Sequence, residues 1–231
     1  MSKNKTLSLI TFFAVLFMKG NLSNAQLSIQ FLGGANFSNL HIADKEVREL
    51  TNHKAARGFF GGIGLAYALN PEFKIALEAQ YSQKGYQMDL QPIQRKQLRR
   101  AHYIDFLPGI QYSPVDFLVV GGGINLGFTF DEKIKFSQET TGLPARQDDD
   151  IWQEPLSIDY DNLDIGVHGL IGVKFKDLML FARYNLGLTN LSGITITDAQ
   201  GLPIRTISEY NRNIQVGINM DFPIKNPNKV E

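Results

Sequence analysis

The strongest constraint on this chain is a two-residue alternation that recurs along most of its length. Phe73, Ile75, Leu77, Ala79 and Tyr81 alternate with Lys74, Ala76, Glu78 and Gln80. Near the C-terminus Arg212, Ile214, Val216, Ile218, Met220 and Phe222 alternate with Asn213, Gln215, Gly217, Asn219 and Asp221. A strand points successive side chains to opposite faces, so this period predicts strands with one apolar face. Eight such segments occur, at about 26–38, 57–69, 73–87, 100–112, 117–130, 161–175, 178–190 and 209–222. Most exceed the usual strand of about five or six residues. They suit a tilted membrane-crossing strand, which needs about 9–11.

The connections alternate too. Asn70-Pro71-Glu72, Ser113-Pro114-Val115-Asp116 and Lys176-Asp177 are built from turn formers. Between them lie long polar links at 39–56, 88–99, 131–160 and 191–208. An even number of antiparallel strands, short turns at one end and long loops at the other is the layout of a bacterial outer-membrane barrel. Both termini fall on the short-turn side. The expected fold is all-β: an eight-stranded antiparallel up-and-down transmembrane β-barrel, with short periplasmic turns and long extracellular loops.

The second face of each strand supports that orientation. It carries Gly, Ala, Asn, Gln and a few charges, where a water-facing surface would carry far more Lys and Glu. Aromatics near strand ends (Phe59, Tyr67, Phe73, Tyr81, Phe130, Phe175 and Phe222 among them) fit two interfacial girdles. Glycines at Gly33-Gly34, Gly61-Gly62 and Gly121-Gly122-Gly123 read as bends that let a small barrel close. Positive and negative side chains balance at 23 each, which removes the electrostatic case for nucleic acid. Zero cysteine excludes disulfides, thiolate metal sites, a cysteine nucleophile and a lipidated cysteine anchor.

Residues 1–25 have the form of an export signal. Lys3 and Lys5 precede an apolar stretch, Leu7 to Met18, that is too short to span a bilayer. Small residues at Ser23 and Ala25 predict cleavage after Ala25, leaving 26–231 as the barrel domain. The expected destination is the bacterial outer membrane.

Two stretches carry a family resemblance. Gly33-Gly34-Ala35-Asn36-Phe37-Ser38-Asn39-Leu40 resembles the opening strand of the PorT-like outer-membrane β-barrel family of Bacteroidota. Leu180-Phe181-Ala182-Arg183-Tyr184-Asn185-Leu186-Gly187-Leu188-Thr189-Asn190 resembles a later strand of the same family. The resemblance spans 26–222 and implies an eight-stranded outer-membrane barrel, usually of unassigned role. The family's namesake takes part in type IX protein secretion. Its distinctive start is not found in this chain, so that role is not carried over, and an accessory part in protein secretion across the outer membrane stands as an alternative.

Eight strands enclose a lumen just wide enough for side chains to fill, which argues against a general diffusion pore. Lys74, Glu78, Asp105, Asp164, Lys174 and Arg183 all fall on the inward parity and are expected to pair as a structural plug. His41, His53, His102 and His168 show no metal-ligand spacing. Gly121 to Gly127 mimics a phosphate-binding loop but lies inside a strand and opens no helix. Neither a cofactor nor an enzymatic activity is expected; the enzymatic alternative would use Ser38, His41, Asp44 and His53 to modify lipid.

For partners, Arg95, Lys96, Arg99 and Arg100 form a basic run suited to the phosphates of outer-membrane lipids and lipopolysaccharide. It contrasts with the acidic run Asp148-Asp149-Asp150 in the third link, where Trp152 beside Pro155 marks the segment expected to meet a protein partner. The expected role is structural, surface-interaction or accessory. A soluble periplasmic calycin-like barrel holding a small apolar ligand is the competing reading, with Ile75, Leu77, Ile124 and Leu126 turned inside.

Overall fold

The computed structural model describes residues 26–43, 52–90, 95–138, 152–153, 162–191, 195–197, 203–206 and 208–224. The expected signal segment 1–25 lies outside them, as do Asp44 and the Asp148-Asp149-Asp150 run. Eight long strands form the body: β1 (Gln26–Ile42), β2 (Asn52–Ala68), β3 (Phe73–Leu90), β4 (Arg95–Val115), β5 (Leu118–Gln138), β6 (Leu163–Phe175), β7 (Leu178–Gly187) and β8 (Glu209–Pro223). Each pairs antiparallel with its neighbour in sequence, and β1 pairs with β8, so the sheet closes on itself without an edge. Short strands Trp152–Gln153, beside β5, and Thr195–Thr197 paired with Pro203–Thr206 lie outside this ring. No helix among the described residues is long and apolar enough to cross a membrane.

The turns follow from their residues. Asn70 Oδ1 accepts the backbone N–H groups of Glu72 and Phe73 at 2.9 and 2.8 Å, which fixes the β2–β3 turn. Lys176 takes the left-handed conformation (φ 55°) in the two-residue turn between β6 and β7.

Burial is inverted relative to a water-soluble barrel. Outside, Ile63, Leu77 and Ile171 are 59, 50 and 56% exposed; inside, Gln215, Asp105 and Arg183 are 0, 1 and 2% exposed. An apolar belt of that extent is stable only against lipid. The belt has aromatic borders. Phe73 stacks on Tyr112 at 4.7 Å at the turn end, and Phe59 and Phe130 lie 5.5 and 6.3 Å from Tyr81 at the other. Eight residues separate Phe73 from Tyr81 on β3, which at about 3.3 Å per residue and about 40° of tilt spans roughly 20 Å of membrane. The calycin-like reading is thereby corrected, because Leu77 and Ile124 point outward and are half exposed.

One glycine pair shows what closure demands. Gly34 faces Gly217 across the β1–β8 seam. A Cβ on Gly34 would run into the backbone carbonyl of Val216, and one on Gly217 would lie 2.5 Å from the Gly33 oxygen.

The strand ends need correction. The link expected at 88–99 is mostly strand: Gln87↔Leu98, Met88↔Gln97, Asp89↔Lys96 and Leu90↔Arg95 continue the β3–β4 ladder. The start of the link expected at 131–160 is also strand, with β5 paired to β4 as far as Gln138↔Arg95. The ladder persists because backbone pairing does not need an apolar face once the chain has left the lipid. Bulges interrupt the register between Ala55 and Phe60 on β2 and opposite His102–Tyr103 on β5, close to the outer aromatic border.

Candidate functional site in the lumen and at the rim

The inward parity of the strands stacks polar side chains in tiers. At the periplasmic mouth Asp221 accepts from Lys74 Nζ (2.9 Å) and Gln30 Nε2 (2.6 Å). Lys174 lines the same mouth, a cavity of about 170 Å³ shared with Ser28, Asp177 and Asp221. It makes no salt bridge among the described residues; the carboxylate of Asp221 is taken by Lys74.

Above this lies an apolar tier of Leu32, Phe60, Val119, Leu170, Met179 and Phe181. Its ring pair Phe60–Phe181 has centroids 5.9 Å apart. Arg183 sits on the tier, its guanidinium 5.1 Å from the Phe181 ring. It donates to Glu78 at 2.5 Å and reaches Gln80 and Gln215 at 3.5 and 3.4 Å. Asp105 and Asp164 share Lys84, at 2.8 and 3.3 Å. Ser82 donates to Asp105 at 2.5 Å, and Asn211 donates to Asp164 at 2.9 Å and to the Tyr103 hydroxyl at 3.2 Å. Voids beside Arg183 and beside Gln30 measure about 10 Å³ each, room for about one water. The described lumen is packed.

Lys84 and Asp221 were outside the expected cluster, although both lie on its parity. Lys84 continues the series Glu78, Gln80, Ser82, and Asp221 continues Asn213 to Asn219. The signal was present as position, without a motif to draw attention to it.

At the extracellular mouth the basic run divides between two faces. Arg99, expected in the surface run that meets lipid phosphates, turns inward and is only 6% exposed. Its Nη2 donates to Glu132 Oε2 at 2.6 Å, its Nε lies 2.5 Å from Oε1 as an ion-pair contact, and the guanidinium is 5.7 Å from the Tyr86 ring. Glu209 is also buried at this mouth, and burial holds its carboxyl above the usual range despite nearby Arg99. His53 packs on Tyr86 at 5.4 Å, and burial lowers its imidazole pKa. Arg95 pairs with Leu90 and Gln138 at the hairpin tip.

Lys96 and Arg100 take the opposite, outward parity. Arg100 lies 5.1 Å from the Trp152 ring and directly faces Lys133 of β5. Trp152 pairs with Lys135. Asp131, beneath them, is 3.7 Å from Lys133 and 3.9 Å from His102. Asp89 binds Lys54 at 2.7 Å, and that hydrogen bond holds its carboxyl below the usual range.

Of the residues weighed for lipid modification, Ser38 and His41 fall on opposite faces of β1 and Asp44 lies outside the described residues. Ser38 is buried inside, where its Oγ accepts the Gly85 N–H at 2.7 Å. His41 lies on the outward parity of the same strand. Among the described residues no group of three or more His, Asp or Glu side chains could hold a metal.

The sequence matches a known family, the outer membrane protein beta-barrel domain, over residues 21–193. The chain belongs to this family. Curated proteins offer no significant match in sequence. Among solved structures it is similar to Ail, the attachment invasion locus protein of Yersinia pestis, at 13% identity and TM-score 0.43, covering 86% of this chain and 99% of that one. It is similar also to Neisserial surface protein A (13%, TM-score 0.43, 84% and 97% covered) and to OprG from Pseudomonas aeruginosa (11%, TM-score 0.38, 84% and 95% covered). As a member of this outer membrane family, the protein is a small outer-membrane β-barrel.

Proposed function

We propose that this outer-membrane barrel is a non-enzymatic, non-conducting surface protein of the PorT-like branch found in Bacteroidota. Its described lumen serves only to hold the barrel shut, and its raised rim meets a partner at the cell surface. The observation that carries the reading is the contrast between the two ends of the molecule. Inside, Arg183–Glu78 and Lys84–Asp105–Asp164 close the cross-section around voids of about 10 Å³. Outside, β3, β4 and β5 continue past the Tyr81–Phe130 girdle, to Leu90, from Arg95 and to Gln138. The branch assignment is supported by the Gly33–Leu40 and Leu180–Asn190 stretches, which occupy β1 and most of β7 with the three residues after it. Export with cleavage after Ala25 fits a first strand in which Gln26 is already paired with Ala68.

The test is conductance. Purified barrel that shifts mobility on heating is reconstituted into planar lipid bilayers, beside Glu78→Ala/Arg183→Ala protein with the same heat shift. Silence from the parent and channel steps from the opened variant support a lumen that only seals. Regular, stable channel steps from the parent overturn it.

A further inference from the structure

On the outward face of the β4–β5 hairpin two positive side chains are set directly against each other. Arg100 and Lys133 are direct cross-strand partners, and like charges so placed repel. Of the described carboxylates there, Asp89 is bound to Lys54 at 2.7 Å and Asp131 is shared between Lys133 and His102 at 3.7 and 3.9 Å. Nothing in the described ladder forces Arg100 and Lys133 together except the backbone register.

Depth selects the ligand. Ile104 is a lipid-facing aliphatic of β4, 37% exposed, and Arg100 stands four residues beyond it. At about 3.3 Å per residue and about 40° of tilt, that is roughly 10 Å farther out. This is the headgroup layer, and the side chains point sideways into it rather than up into solvent. Trp152, 39% exposed, lies with its ring 5.1 Å from the Arg100 guanidinium. A guanidinium held on an aromatic face keeps its edge N–H groups for an anion, and the arginine fork suits phosphate.

We propose that Arg100 and Lys133, braced by Trp152, form a site for the phosphates of the outer-leaflet glycolipid, the lipid A head of lipopolysaccharide. The site rests on the outer-membrane reading but not on the sealed lumen. It replaces the expected Arg95–Arg100 run with a two-strand constellation, since Arg99 is committed inward to Glu132.

Trp152 is the chain's single tryptophan, so its fluorescence reports the site directly. Folded barrel in zwitterionic micelles is titrated with diphosphoryl lipid A, with dephosphorylated lipid A and with inorganic phosphate. The expected result is a saturable Trp152 response to diphosphoryl lipid A that weakens as salt rises and is absent with the dephosphorylated form. Arg100→Ala/Lys133→Ala should weaken it at least tenfold while keeping the heat shift, and Lys176→Ala at the opposite end should leave it unchanged. If that double variant loses its heat shift, Lys133→Gln alone is expected to weaken binding severalfold. Equal response to both lipid forms, equal response to inorganic phosphate, or undiminished binding by the variants overturns the proposal. Channel activity would overturn the sealed-lumen reading and leave this site standing.

Discussion

Arg183 on β7 and Glu78 on β3 meet at 2.5 Å in the middle of the barrel, both almost fully buried, although 105 positions separate them in sequence. They reach one another because both lie on inward parity of strands on opposite sides of a narrow ring. Neither charge has bulk water to fall back on. Removing one strands the other, so Glu78→Ala or Arg183→Ala should each cost roughly 3–5 kcal/mol. The double variant should cost clearly less than the sum of the two. Urea titration of barrels folded into lipid vesicles checks this, and additive single costs would count against a coupled pair.

On the outside, a single charge facing lipid should be as damaging as one stranded inside. Leu77 lies mid-belt and is 50% exposed, so Leu77→Arg is expected to cost about 2–4 kcal/mol near the bilayer midplane. The readout is the yield of the heat-shifted band, which should fall sharply. Lys176→Gln in the periplasmic turn should leave the yield unchanged.

The places where the sequence was legible follow from the same two environments. Between Phe73 and Tyr81 lipid on one side and a packed lumen on the other impose a clear alternation, and all eight strands could be located. Beyond the girdle both faces of a strand meet polar surroundings. Met88 to Leu90, Arg95 to Arg99 and Asp131 to Gln138 therefore read as links although the backbone ladder runs through them. Lys84 was lost for the same reason, sitting where contrast fades. Arg99 reads as part of a surface run because the basic residues are contiguous in sequence, while a strand sends Arg99 and Arg100 to opposite faces.

Closure should depend on specific small residues. Gly34 lies under the backbone of Val216, whereas Gly169 on the outer surface has nothing within 4 Å of where a Cβ would go. Gly34→Ala is therefore expected to lose most of the heat-shifted species, because the β1–β8 seam cannot approach. Gly169→Ala should fold as the parent does. Equal folding of the two variants would show that the seam can move apart.

The first strand implies where the mature chain begins. Gln26 already pairs with Ala68 and Leu27 with Tyr67, so the first residue beyond the expected cleavage after Ala25 is already part of the ladder. Mass spectrometry of protein taken from outer membranes should give an N-terminus at Gln26, and Ala25→Tyr should retain the longer precursor. An N-terminus several residues into β1 would contradict the cleavage site, since it would remove rungs from the barrel.

The extracellular mouth should make stability depend on pH with two opposing signs. His53 is half-buried against Tyr86, neither ring nitrogen has a hydrogen-bond partner among the described residues, and burial lowers its pKa from 6.5. Between the folded value and 6.5 the unfolded chain binds more protons, so stability rises with pH through this window and is lost as pH falls below about 6.5. Glu209 acts the other way. Burial raises its pKa from 4.5, so the folded state holds the proton more tightly and stability falls as pH rises from about 4.5 to the raised value. Urea titrations of vesicle-folded barrel from pH 4 to 8 should show His53→Gln flattening the rise below 6.5. Glu209→Gln should remove the fall above 4.5. If either profile is unchanged by its substitution, the group named is not the one that titrates.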